Sequence, residues 1–391
     1  MCNQKQHTSG SEQFSRRRFL AANAAAAMAL AGCAGEQTEQ TEKDDEKRAS
    51  APAVADSENV PQIPQVENPP DAVYIPTHRA GMAHLSMVEA GDYTISPMIS
   101  YAHRFWLVTG TETEAVVPSD PGVHLMFTVW DAETQRVLPV DAGAQIRVSK
   151  DGELVDQRAP WPMISQTMGF HFGDNVPLTE NGTYTVDVDL NPINVERTGA
   201  FEGRFEDAAT ATFEFEYNDD VRRQLVDGIE YLDEERWGQQ GALEPMMQDH
   251  SGGSDGDDGG MSSMPVSALP RADTYPGQDL GTAESGGAAF VLRYIEESRF
   301  VEEGGYLIVS PRTPHNRIPL PDMALSISGA SEAELTQTLD DEIGLHYGAA
   351  VDLTADDELQ LAVETPPQLA RHAGYETAFI EMEPITIDGI Q

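Results

Sequence analysis

The chain is poor in cysteine, lysine and long apolar runs. Cysteine occurs at only two of 391 positions, Cys2 and Cys33. That excludes a disulfide framework and a paired-cysteine metal site. Lysine stands only at Lys5, Lys43, Lys47 and Lys150, and arginine supplies the rest of the 24 basic side chains. Against them stand 66 acidic residues, for a net charge of −42. A chain so short of positive charge is no partner for nucleic acid. In dilute buffer the charge would strain a compact fold by self-repulsion. In molar salt, where the screening length falls to about 3 Å, that strain fades. We therefore read the acidity as adaptation to high salt rather than as an acidic binding surface. Catalytic signatures are missing as well: no Gly-rich phosphate loop, no nucleophile elbow, no His-Glu-x-x-His. The sequence reads as a non-enzyme.

What is present begins at the N-terminus. Ser15-Arg16-Arg17-Arg18-Phe19-Leu20 precedes an Ala-rich run from Ala21 to Ala31, and Leu30-Ala31-Gly32-Cys33 closes it. The run is too short to span a bilayer, which takes about 20 residues. The pattern is that of a twin-arginine export signal, residues 1–33, ending in a lipobox. It predicts lipidation of Cys33 and a mature protein anchored at the extracellular face of the cell membrane. Residues 34–70 are Glu, Thr, Asp, Ser, Pro and Gln with few large apolar groups, a disordered tether by composition.

Residues 169–179 read Gly-Phe-His-Phe-Gly-Asp-Asn-Val-Pro-Leu-Thr, and residues 344–354 read Gly-Leu-His-Tyr-Gly-Ala-Ala-Val-Asp-Leu-Thr. Alternating stretches follow both copies, Tyr184, Val186, Val188 and then Leu359, Leu361, Val363. An internal repeat decides architecture first. The expectation is an all-β chain of two tandem immunoglobulin-like antiparallel β-sandwich modules, residues 71–218 and 284–391. Strands are expected near 93–108, 124–130, 144–148, 183–190 and 209–217, then 289–295, 306–309, 323–327, 358–363 and 377–382. Between the modules, apolar groups at helical spacing over 219–237 predict a helix within 219–240, with Asp219 and Asp220 at its start. Residues 241–283 are read as a flexible acidic linker. Each module is expected to fold on its own. Trp106, Trp130 and Trp161 are expected in the core.

His171 and His346 centre the two copies of the repeat. The alignment extends to His103, matched by Ser298, and to Met163 and Met168, matched by Thr338 and Ile343. Neutral imidazole suits copper, iron and zinc, and thioether sulfur selects cuprous ion over hard cations. The candidate metal ligands are His103, Met163, Met168 and His171, with His346, His372 and His124 as weaker ones. The alternative is that His171 and His346 only hydrogen-bond across a bend. Met82, His84 and Met87 are read as packing an edge. Met246, Met247, His250, Met261 and Met264 are read as linker composition rather than a copper-catching tail.

Residues 94–217 resemble the periplasmic iron-transport-associated proteins, which sit beside trivalent-iron permeases and bind copper and iron on an immunoglobulin-like sandwich. Pro162-Met163-Ile164, His171-Phe172-Gly173, the alternating strand after them and the early His103 carry the resemblance. It implies an iron or copper site built from Met163, His171 and His103, with Met168 as a substitute for Met163. The family's late histidine has no counterpart in the first module, where Arg197 and Glu202 stand. The second module has His372 there. The acidity, export signal and lipobox point to a haloarchaeal two-module lipoprotein, and the resemblance implies that it supports metal uptake, with an iron permease as possible partner. The other class it could belong to is a structural or protein-interaction lipoprotein without a metal site.

Overall fold

The computed structural model describes residues 61–246, 264–296, 298–301 and 304–389. The export signal with Cys33, most of the tether, and Met247, His250 and Met261 lie outside the described residues.

The chain is all-β and sandwich-built. Seventeen strands carry the description. In the first half these are β1 (Tyr93–Tyr101), β2 (Phe105–Thr109), β3 (Gly122–Asp131), β4 (Gln145–Lys150), β5 (Trp161–Ser165), β6 (Gly169–Pro177), β7 (Gly182–Leu190), β8 (Glu196–Thr198) and β9 (Ala209–Tyr217). In the second they are β10 (Ala288–Ile295), β11 (Gly305–Arg312), β12 (Ala324–Gly329), β13 (Thr336–Asp340), β14 (Gly344–Val351), β15 (Glu358–Thr365), β16 (Ala370–Arg371) and β17 (Ile385–Asp388). Strict alternation makes β7 a half-buried strand: Tyr184, Val186, Val188 and Leu190 point inward, and the intervening threonines and aspartates face out. Its neighbour β9 does the same with Ala211, Phe213, Phe215 and Tyr217. The rings of Tyr184 and Phe215 stack across the pair at 5.8 Å.

In each half, one sheet is formed by the strands that carry the repeat. The order is β1-β3-β6-β5 in the first and β10-β11-β14-β13 in the second. Facing them are β4-β7-β9 and β12-β15-β17. The registers match as well. Met163 pairs with His171 across β5 and β6, and Thr338 pairs with His346 across β13 and β14.

The halves then exchange strands. β16, from the second half, runs parallel to β5 and lies between β5 and β2 of the first. Reciprocally, β8 of the first half runs parallel to β13 of the second. The expected separation into self-contained modules is therefore not what the chain contacts make, and the described residues belong to one compact unit.

Other local expectations change too. The stretch 93–108 is two strands, and His103 lies in the break between β1 and β2. The helix α1 spans Asp219–Asp227 only, capped by Asn218, whose side chain accepts from the Asp220 and Val221 amides. It stops at Gly228, whose backbone packs against Gly81 with no room for a side chain on the latter. Part of the expected linker is ordered: Met264 and Leu269 are buried, and Gln278–Ser285 is a strand beside β10. Trp130 is in the core, whereas Trp161 is 43% exposed. No helix among the described residues is long and apolar enough to cross a membrane.

Candidate metal centre

Along β3, Val123, Leu125, Phe127 and Val129 enter the sandwich core, so His124, Met126, Thr128 and Trp130 project from the opposite face. On β6 the same alternation sends Phe170 and Phe172 inward and His171 outward; on β5, Ile164 goes inward and Met163 outward. That outer face is covered rather than solvated: Met163, His171 and His124 are each 0% exposed. Gly173 sits among them. A Cβ there would come within 2.9 Å of His124 Nε2 and 3.0 Å of Met163 Sδ. Lacking one, the position leaves a gap onto which these donors converge.

Two further histidines reach the gap from outside the sheet. His103 comes from the β1–β2 break, and His372 follows β16. Its backbone N–H donates to Ile164 O at 3.1 Å, and Arg371 beside it is fully buried. The Arg371 guanidinium donates to the carbonyls of Pro367, Tyr375, Ala378 and Phe379, which curls the loop that presents His372. His372 Nδ1 lies 3.2 Å from His103 Nε2. His372 Nε2 lies 3.1 Å from His171 Nε2 and 3.2 Å from Met163 Sδ. Among the described residues, His103, His124 and His372 form the one group of three or more His, Cys, Asp or Glu whose ligand atoms all lie within 4.8 Å of one another.

The hydrogen bonds around the centre decide which nitrogens carry protons. His103 Nδ1 meets Tyr101 O at 2.9 Å, and His171 Nδ1 meets Gly169 O at 3.0 Å. A carbonyl only accepts, so both Nδ1 atoms are protonated and both Nε2 atoms hold lone pairs. Asn175 does the same for His124. Its Nδ2 donates to His103 O at 2.8 Å, and its Oδ1 accepts the His103 N–H at 3.2 Å, which fixes the amide orientation. The Oδ1 therefore accepts from His124 Nδ1 at 3.1 Å. His124 Nε2 is left buried with no hydrogen-bond partner.

Burial depresses these imidazoles. His103 and His171 are pushed down to about 4, and His124 and His372 well below the usual histidine range. All are neutral at ordinary pH. Neutral His372 has a single N–H to offer His103 and His171, whose Nε2 atoms both present lone pairs. One of those contacts is lone pair against lone pair, and a cation at the gap removes the conflict. The residues thus fit a metal ion: an orphaned nitrogen, an empty Cβ position, and converging imidazole and thioether donors.

Access is from one side. His103 and His372 are partly exposed, and both line a cavity of about 870 Å³ together with His78, Met82, Met126 and Met168. His78 Nε2 lies 2.7 Å from the Tyr101 hydroxyl at this rim.

Four of the residues read from the sequence as ligands behave differently from their expected rank. His103, His171 and Met163 each lie against His372. His124 and His372, expected as weaker candidates, are central. Met168 does not join them and packs with Met98, Met126, Trp130 and Met264. His346 keeps the equivalent Nδ1 contact, to Gly344 O at 3.2 Å, but its Nε2 meets the Tyr306 hydroxyl at 3.2 Å. Tyr306 holds the register position of His124, and Gly348 that of Gly173. Phe300 stacks on Tyr306 at 4.8 Å, and Thr198 of β8, which holds the register position of His372, donates to Asp340. In the second half the gap is filled by a phenol.

Gly173 stands in the His-Phe-Gly segment of the sequence, as a glycine beside the repeated histidine where the backbone can approach closely. Asn175 is not among the residues the sequence offers, although the repeat carries a signal for it, since Asn175 is matched by Ala350.

Residues 273–388 match a family described as a domain of unknown function (DUF7350). Comparison with curated proteins and with solved structures finds no match.

Proposed function

We propose that the protein binds one transition-metal ion, cuprous copper or ferrous iron, at the centre formed by His103, His124, His171, His372 and Met163. The observation that carries this reading is His124 Nε2, a buried lone pair with no partner beside the gap at Gly173. Leaving such an atom unmet costs about 1–3 kcal/mol. The thioether favours the cuprous ion, while the imidazoles admit either metal. The bound ion would join the two halves, since His372 alone of the ligands belongs to the second.

In this reading the protein serves metal uptake at the outer face of the membrane, beside a permease for iron. The support is the signal and lipobox around Cys33 and the family resemblance of residues 94–217. Replacement of Cys33 by Ser should release the protein into the medium; a variant that stays with the membrane would remove the anchor from the reading.

Anaerobic titration with cuprous and ferrous ions against chromophoric competitors tests the centre. The His171→Ala and Met163→Leu variants should bind at least about tenfold more weakly, whereas His346→Ala should bind like the parent chain. Equal affinity in all of them would leave the structural, metal-free reading standing.

A further inference from the structure

The sheet face that carries the histidines holds a second set of soft donors one step further along. Met98 and Met126 are cross-strand partners on β1 and β3, and Met126 is also opposite Gly173. Met168, Met264 and Trp130 close around them, all buried. Of the chain's 14 methionines, seven pack in this one cluster, counting three partly buried ones at its rim.

Filling space does not account for that choice. The main core, shared by both sandwiches, is built from Val, Leu, Ile, Phe and Tyr, and Met323 is the only methionine among its buried residues. The cluster beside the histidines reverses the preference, with no buried Leu, Ile or Val. Branched aliphatics fill a core with less rotamer freedom to lose, so packing alone would favour them here too. What methionine adds is a polarizable sulfur that ligates cuprous ion. The cluster also borders the entrance: Met82, Met126 and Met168 line the same cavity as His103 and His372.

We propose that this methionine cluster is a second metal site, a thioether-only site for cuprous ion, filled through the shared cavity and separate from the histidine centre. Hard and borderline cations, ferrous iron among them, find no ligand there. The site does not depend on the histidine centre, because its donors are a different set of atoms.

The test is cuprous titration of the full chain, with silver ion as a redox-inert substitute. The Met98→Leu/Met168→Leu/Met264→Leu variant keeps side-chain volume. It should take up one cuprous ion fewer than the parent chain and bind ferrous iron equally well. A His124→Ala/His171→Ala variant should keep one cuprous ion, with only sulfur in the first coordination shell by X-ray absorption. Should the leucine variant fail to fold, a selenomethionine-labelled His124→Ala/His171→Ala/Met163→Leu variant, which removes the thioether of the histidine centre, gives the same answer through selenium–copper scattering on loading. Unchanged cuprous stoichiometry in the leucine variant, or no selenium–copper scattering, overturns the proposal. Unchanged stoichiometry in the histidine variant instead overturns the histidine centre and leaves the thioether site standing.

Discussion

Asn175 does more at the centre than its chemistry suggests. Its amide never touches the gap, yet it sets the proton on His124 and holds the His103 backbone with the same two atoms. A neutral imidazole can offer its lone pair at either nitrogen, and the second partner decides which. With Asn175→Ala, His124 is free to turn or to change tautomer, and the segment carrying His103 loses two hydrogen bonds. We expect metal affinity to fall about 10–100-fold while the fold persists, read by the competition titration together with an unfolding curve. Affinity equal to the parent chain's would mean that the imidazoles are held by packing alone. The pairing of Asn175 with Ala350 in the repeat made this residue legible in principle. Its role was not, because alternation along β6 says which way a side chain points and nothing of what it meets.

Strands β8 and β16 are short, and sequence reading passes over them. Neither has a run long enough to show period-two alternation, and Ala370-Arg371 has no β-branched residue. Their placement is tertiary: each lies parallel to a strand of the other half. Parallel neighbours need long connections, and here the connection passes through the other half's own strands. Cutting within 247–263 tests the consequence. The fragments should stay together in molar salt, elute as one species and unfold in one transition, because each sheet lacks a strand and the first half lacks His372. Two separately folded fragments would show that the exchange contributes little. The two-module reading from the repeat is sound for ancestry-like symmetry of register, Met163–His171 against Thr338–His346. It misjudges independence, since a repeat reports similarity and not which copy's strand completes which sheet.

At the scale of the whole molecule the buried imidazoles set a pH dependence. In the unfolded chain histidine protonates as the pH falls through about 6.5. In the fold, His103 and His171 stay neutral down to about 4, and His124 and His372 further still. The unfolded state therefore binds more protons over that window, and the metal-free protein should lose stability from pH 6.5 towards pH 4. Acidification also relieves repulsion among the carboxylates, which molar salt already screens. Urea midpoints at pH 7 and pH 5 in molar salt check this, with a His124→Gln/His171→Gln variant expected to flatten the dependence. Equal slopes for parent and variant would remove the imidazoles as its cause.

The sequence by itself determined the β class and the two related halves, and it offered His103, Met163 and His171 as candidate imidazole and thioether donors. These follow from alternation, self-similarity and ligand softness, all of which are local properties of the chain. Only the tertiary structure decided that His372 joins them from the other half, that Met168 belongs to a separate cluster, and that Tyr306 occupies the gap at His346. Each of those outcomes depends on which strand lies beside which, and strand order is set by packing between segments from 40 to 209 residues apart, beyond the reach of any local pattern.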